Sequence, residues 1–311
     1  MKINYLAYLD PYRYSGGGEQ VNRKIIEAAR ARGHEVRITS MEGVDQHASP
    51  DIWYLCDVYN CPSERNATLH GLIDSIVRGS VPYVHHDNSY VDLCWYGAIP
   101  CNGQGMDGFS CHIKGAGCSV LRAAPLYHNA SLCSFMSPLH RDVHIGAMGK
   151  RVLSPGKTLL VPPSVDVSAF RNHGGERDIP YLSYGGQSEA KGYHNVMKSL
   201  PRGSVTFIGG SSRELLKPED GRYLGSVPQG EMPQLLNRTR NYVHLPRWPE
   251  PFGLIVAEAA LCGCNLIVNE NVGAASWKLD LTDPRIYEDS CGRYWTELES
   301  KLRCQPPVSP C

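Results

Sequence analysis

Apolar and polar positions fall into short runs whose period changes in a regular way along the chain. Residues 2–9 form an almost unbroken apolar run and predict a buried strand. A polar, glycine-bearing turn follows, and residues 19–31 then carry apolar positions at helical spacing up to Gly33. Residues 35–39 predict the next strand, so the chain opens as a strand–helix–strand unit with a glycine-rich first turn. Further strands are predicted at 51–55, 82–86, 130–137 and 157–161, with a helix over 68–78. The pattern then restarts, with strands at 181–184, 204–210, 222–227, 241–245 and 264–268 and helices from about His194, over 232–239 and over 254–261. A last amphipathic segment has Tyr294, Trp295, Leu298 and Leu302 at helical spacing, which is the mark of core packing. Short strands alternating with helices predict an α/β architecture of two doubly wound domains. The expected boundaries are 1–165 and 175–290, a polar hinge covers 171–178, and the helix at about 292–304 is expected to dock on the first domain.

The chain has 311 residues, enough for two separate cores, and its 31 basic and 31 acidic side chains give a net charge of +0. No global field draws it to nucleic acid or to a membrane, and the balance counts against long duplex DNA as a partner. The first ten residues read as a strand and not as a signal peptide. No apolar run is long enough to span a bilayer, so a cytoplasmic protein is expected. Twelve cysteines are many for such a protein. Cys94, Cys101, Cys111 and Cys118 stand in a glycine-rich insertion, 94–118, with six, nine and six residues between them. That insertion has too little apolar content for a core of its own, and four thiolates on a structural zinc would staple it, with His112 as a substitute ligand. Disulfides and free thiols stay open as the other readings.

Candidate chemistry concentrates around Glu250, which is flanked by Pro249 and Pro251 and so lies in an extended or turning segment. From Gly253 the chain turns to strong helix formers, and Gly263 closes the run. Glu258 then rides roughly 7 Å along that helix. Unpaired N–H groups around Phe252, Gly253 and Leu254, with a carboxylate at each end, suit a phosphate or a ring of sugar hydroxyls. The plain alternative is a helix with Glu258 on a solvated face. Three more places carry chemistry. Gly16, Gly17 and Gly18 precede a helix N-terminus, and Lys191 sits on a turn ahead of a helix, where it can neutralise a phosphate. His86 and Asp87 stand at a strand's C-terminal end, where open α/β sheets bind ligands, with His85 as the structural neighbour. Loop polars that merely bond the backbone are the other reading of His86 and Asp87.

The stretch Glu250, Phe252, Gly253, Leu254, Glu258, Ala259 and Gly263 resembles the signature of glycosyltransferase family 4, the retaining GT-B enzymes. The resemblance implies a GT-B fold, two Rossmann-like domains facing a cleft. It implies that Glu250 and the amides of Gly253 and Leu254 hold a donor sugar, while Glu258 holds the nucleotide's ribose. Lys191 with Gly192 matches the family's diphosphate grip, the glycine loop its diphosphate and acceptor side, and His86 with Asp87 a pair near the transferred sugar. This chain departs where the family places an arginine in that grip: Gly186 or Gln187 stands there. The implied activity is transfer of a sugar from a nucleoside diphosphate, a UDP-sugar favoured, to an acceptor hydroxyl with retention and without a catalytic metal. A glycan, a lipid, a protein or a hydroxymethylated DNA base is the open set of acceptors. A GT-B sugar-nucleotide epimerase and a non-catalytic sugar-nucleotide or nucleic-acid binding module are the competing readings.

Overall fold

The structure, a computed structural model, describes residues 1–14, 16–40, 43, 49–59, 67–93, 119–161, 164–184, 190–209 and 221–304. They divide into two compact units. One takes the described residues up to Ser164 together with those from Asp289 onward, and the other runs from Val165 to Glu288. Among the described residues, no helix is long and apolar enough to cross a membrane.

The first unit is built on β1 (Lys2–Ala7), α1 (Gly17–Ala31), β2 (Glu35–Thr39), β3 (Ile52–Cys56), α2 (Ala67–Arg78), β4 (Tyr83–Asp87), α3 (Ser119–Asn129), β5 (Leu132–Phe135), α4 (Pro138–Met148) and β6 (Thr158–Leu160). Its six strands lie in the order β2-β1-β3-β4-β5-β6, every neighbouring pair parallel. β3 and β4 are buried throughout, as central strands covered on both faces must be. α1 turns Val21, Ile25, Ile26 and Ala29 to the core, and Gly33 (φ 82°) follows its end in the left-handed region. Two helices here went unread in the sequence. α3 contains Pro125, which argues against a helix on local grounds, and α4 begins with Pro138 behind Ser137, whose hydroxyl caps it by accepting from the His140 amide at 3.1 Å. Ser137, which the apolar pattern predicts as the end of a strand, is thus a helix cap.

The second unit carries β7 (Ile179–Tyr184), α5 (Tyr193–Ser199), β8 (Val205–Ile208), β9 (Gly221–Tyr223), α6 (Met232–Asn237), β10 (Thr239–His244), α7 (Leu254–Leu261), β11 (Asn265–Val268) and α8 (Gly273–Ser276). Strand order is β11-β10-β7-β8-β9, again all parallel. The chain steps from β7 to β8 and β9 on one side, then returns to place β10 and β11 on the other. β7 and β10 therefore flank the topological switch point. α7 is apolar apart from Glu258 and buried from Val256 to Leu261, and Gly263 (φ 79°) lies just past it.

α9 (Ser290–Arg303) belongs to the first unit and packs on α1. Trp295 is fully buried and donates its indole N–H to the Ile25 carbonyl at 2.8 Å, while Arg32 forms a two-pronged ion pair with Glu299 at 2.9 and 3.0 Å.

Candidate functional site

In the second unit the segments that follow β7 and β10 are tied together by hydrogen bonds to backbone carbonyls. Arg247 donates its amide to the Ala190 carbonyl at 3.0 Å, and the Asn195 side chain donates to the Leu245 carbonyl at 2.9 Å. Gly192 sits between them at φ 83°, with no room for a side chain. The loop after β10 is fixed on its far side as well. Glu250 donates to the Asn271 carbonyl at 2.7 Å and accepts from the Gly273 amide at 3.0 Å, while Ala274 donates to the Phe252 carbonyl at 2.8 Å. The side chains of Asn269 and Asn271 both donate to the Pro246 carbonyl. A proline-flanked loop has few amides of its own to offer, so neighbouring loops supply its bonds.

Within this frame both Glu250 oxygens are engaged. Oε1 accepts from Lys191 Nζ at 2.6 Å, and Oε2 accepts from Nε2 of His244, the last residue of β10. Lys191 also lies over the Trp248 ring, 5.4 Å from its centroid. Burial alone would raise the Glu250 carboxyl, but the charges and hydrogen bonds of His244 and Lys191 outweigh it and hold its pKa at about 2. Glu258, on α7, is buried at 7% exposure, which excludes the solvated-face reading. Its Oε1 accepts from Gln229 Nε2 at 3.0 Å, and burial lifts its pKa to about 7 against that hydrogen bond. The two carboxylates bear on one buried ring. Burial first, then the charges of Glu250 and Glu258, push the Tyr242 phenol well up. Phe252 is buried, Gly253 holds φ 85°, and α7 starts at Leu254 with no side-chain cap. Gly186 and Gln187 lie outside the described residues, as do Cys94, Cys101, Cys111, Cys118 and His112. The six cysteines among the described residues, Cys56, Cys133, Cys262, Cys264, Cys291 and Cys304, are free thiols.

In the first unit, the pleat of β4 separates residues that the sequence sets side by side. His86 bonds Ser134 Oγ through Nδ1 (2.8 Å) and Asn88 Oδ1 through Nε2 (2.9 Å). The Asn88 amide nitrogen donates to Asn22 Oδ1 at 2.7 Å and to the Gly18 carbonyl at 3.3 Å, beside the start of α1. Its Oδ1 therefore faces His86, so Nε2 carries the proton and Nδ1 accepts from Ser134. The chain of donors continues inward, from Tyr54 to Tyr294 at 2.7 Å and from Tyr294 to Ser134 at 3.0 Å. Burial drives His86 down, and the charge of Asp87 offsets it only in part, leaving the imidazole at about 4. Gly16 stands at the N-terminal end of α1, Gly17 begins the helix, and Gly18 touches Asn88; among the described residues no side chain caps α1.

Asp87 points the other way. It lies 3.3 Å from His85 Nε2 and 3.3 Å from His144 Nε2, and His85 is 3.5 Å from Asp92, all fully buried or nearly so. Burial would raise Asp87, but His85 and His144 outweigh it and hold the carboxyl well below the usual range. Asp92 accepts from the Val58 and Tyr59 amides at 2.9 and 2.5 Å. Ligand atoms of His85, Asp87 and Asp92 fall within 4.8 Å of one another. One imidazole nitrogen shared between two carboxylates fits this geometry without an ion. Among the described residues, His85 Nδ1 also has no outer partner of the kind that a metal-bound histidine has. The cluster is thus a buried ion network. His86 and Asp87, expected as a pair, are not brought together, because adjacent strand residues face opposite sides of the sheet.

Sequence reasoning missed His244, Asn88 and Gln229. His244 carried one faint signal, a polar residue closing a strand two positions before Pro246. The other two became visible only through their partners.

No protein-family model matches the chain, glycosyltransferase family 4 included, and no curated protein matches it. Solved structures do match. HepE of Anabaena, in complex with UDP and glucose, has a TM-score of 0.62 at 15% identity, covering 97% of this chain and 100% of its own. Sucrose-phosphate synthase from Thermosynechococcus elongatus gives 0.63 at 15% identity, with 97% of each chain covered. An α-glucosyltransferase in complex with UDP-glucose and DNA containing an abasic site gives 0.53 at 13%, over 97% of this chain and 91% of its own. Identities this low speak to architecture alone, and the architecture is that of the GT-B glycosyltransferases.

Proposed function

We propose that this chain is a retaining glycosyltransferase that moves a sugar from a nucleoside diphosphate, a UDP-sugar favoured, to an acceptor hydroxyl. The observation that carries the reading is the Glu250 carboxylate, held between Lys191 and His244 beside the switch point of a parallel sheet, with Glu258 buried on the helix that follows. Solved structures of HepE, a protein of the same fold, in complex with UDP, UDP-glucose, or UDP with glucose support the donor class.

In this reading Glu250 accepts a hydroxyl of the sugar, and the amides of Gly253 and Leu254 complete that seat. Phe252 shapes it. Glu258 meets the ribose; at neutral pH it is poised between acid and carboxylate, so it either donates to or accepts from a ribose hydroxyl. Lys191 leaves Glu250 for the diphosphate and balances the charge that grows on it as the C1–O bond breaks. The acceptor oxygen bonds C1 on the face the diphosphate leaves, and the acceptor's proton passes to the departing phosphate oxygen. The glycine run 16–18 and the neutral His86, bonded to Asn88, keep the roles that the family resemblance gives them, toward the diphosphate and acceptor and near the transferred sugar. Asp87 acts through His85 and His144 as support for β4.

Incubation with UDP-, GDP- and ADP-sugars and a panel of glycan, lipid, peptide and hydroxymethylated DNA acceptors tests this. Nucleotide release that requires an acceptor, with the product anomer matching the donor, is the expected result. Product formed without acceptor points to an epimerase, and binding without consumption to a non-catalytic module, a reading kept open by Gly186 or Gln187 standing where the family has an arginine. DNA belongs in the panel because one protein of this fold was solved with UDP-glucose and DNA. The reading includes a structural zinc on Cys94, Cys101, Cys111 and Cys118; metal analysis that finds no zinc removes that part alone.

A further inference from the structure

The two partners of Glu250 differ in how freely they can let go. Lys191 reaches it on a flexible stem with 28% of its side chain exposed, so it can trade Glu250 for a phosphate or for water without stranding a charge in the interior. His244 has no such exit. It closes β10, its backbone is registered against Val268 of β11, and its side chain is 1% exposed. Among the described residues its Nδ1 has no partner, so the bond to Glu250 is the ring's one hydrogen bond there. An ionised carboxylate only accepts, so Nε2 is the donor. Breaking that bond would leave a buried N–H unpaired, a cost that loss of Lys191 does not carry.

We propose that His244 is a positioning residue: it fixes Oε2 of Glu250 at the rigid end of β10 while Oε1 exchanges Lys191 for a hydroxyl of the donor's sugar. The idea rests on Glu250 as the sugar-facing carboxylate. It explains how one side chain serves two occupants in turn. Oε1 changes partner, but the carboxylate plane does not rotate, because its other oxygen never lets go. It also separates the roles of the two donors, with Lys191 travelling to the diphosphate and His244 staying behind.

The test compares calorimetric binding of UDP and of UDP-glucose to the wild type, His244→Phe, His244→Gln, Glu250→Gln and the His244→Phe/Glu250→Gln double variant. His244→Phe should weaken UDP-glucose about tenfold, the scale of one charge-assisted hydrogen bond, and move UDP by less than about twofold. His244→Gln, which retains an N–H donor, should recover most of the loss, and His244→Phe should add nothing in the Glu250→Gln background. Equal losses for UDP and UDP-glucose, or an undiminished effect without the Glu250 carboxylate, overturn the positioning role. A wild type that binds no member of a UDP-, GDP- and ADP-sugar panel overturns the functional reading instead. Nitrogen-15 NMR of the histidines then still decides the geometry. An Nε2-protonated His244 whose proton shift collapses in Glu250→Gln upholds the anchor, and an Nδ1-protonated ring sinks it.

Discussion

A β-carbon placed on Gly192 would lie 1.8 Å from the carbonyl oxygen of Leu245, so the turn that carries Lys191 and the loop that leaves β10 share one van der Waals boundary. The backbone there also needs φ 83°, outside the range that other residues adopt without strain. These two segments come from different strands, and their close approach sets Lys191 within reach of Glu250.

Gly192→Ala should therefore cost at least about 2 kcal/mol, from the combined left-handed backbone and the overlap with Leu245. Urea unfolding measures it. A loss below about 1 kcal/mol would mean that the two loops yield, and that their contact does not set the position of Lys191.

Lys191→Met should change how stability depends on acid. The Glu250 carboxyl sits at about 2 in the folded chain against an ordinary 4.5, so its ionised form contributes stability above pH 4.5 that is lost as pH falls toward 2. Removing Lys191 brings the folded value back toward 4.5. The stability gap between wild type and variant should be full at pH 7 and narrow between pH 4.5 and 2, read by urea unfolding at each pH. A gap that does not change with pH contradicts the account.

Glu258→Gln should act in the opposite direction. The folded carboxyl titrates near 7 and the unfolded one near 4.5, so the folded chain holds an extra proton in between and loses stability as pH rises through that window. The variant should match the wild type at or below pH 4.5, gain on it up to pH 7 and stay ahead by a constant margin above. If Glu258 meets a ribose, the same protein should bind UDP more weakly. A side chain that costs stability and supplies binding is what a functional position looks like.

Tyr294→Phe should destabilise the first unit by about 1–3 kcal/mol, since Tyr54 and Ser134 both lose a buried partner. Trp295→Ala should cost more, about 3–5 kcal/mol, because it removes a fully buried ring along with its hydrogen bond to Ile25. Thermal or urea unfolding ranks the pair. A smaller loss for Trp295→Ala than for Tyr294→Phe would show that α9 is held by its hydroxyl chain and not by its apolar face.

Much of the architecture was legible because it depends on local periodicity. Apolar runs such as 51–55 and 241–245 have few ways to be buried other than as strands of a covered parallel sheet. The glycines at 33 and 263 end helices for reasons held within a few residues. α3 escaped because a proline inside a helix is tolerated only when surrounding contacts compensate, and those contacts are remote in sequence.

By itself, the sequence determined the alternating strands and helices, the placement of Glu250 just ahead of a buried helix and that of Glu258 within it, since each follows from spacing and backbone preference. Only the tertiary structure decided which groups meet. Lys191 and Glu250, 59 residues apart, form one ion pair; His244 turns from a strand terminus into the second anchor of that carboxylate; and His86 and Asp87, adjacent in the chain, part to opposite faces of β4. The physical reason is that a strand's pleat and a sheet's crossovers set neighbours in space, and hydrogen-bond partners are chosen there and not along the chain.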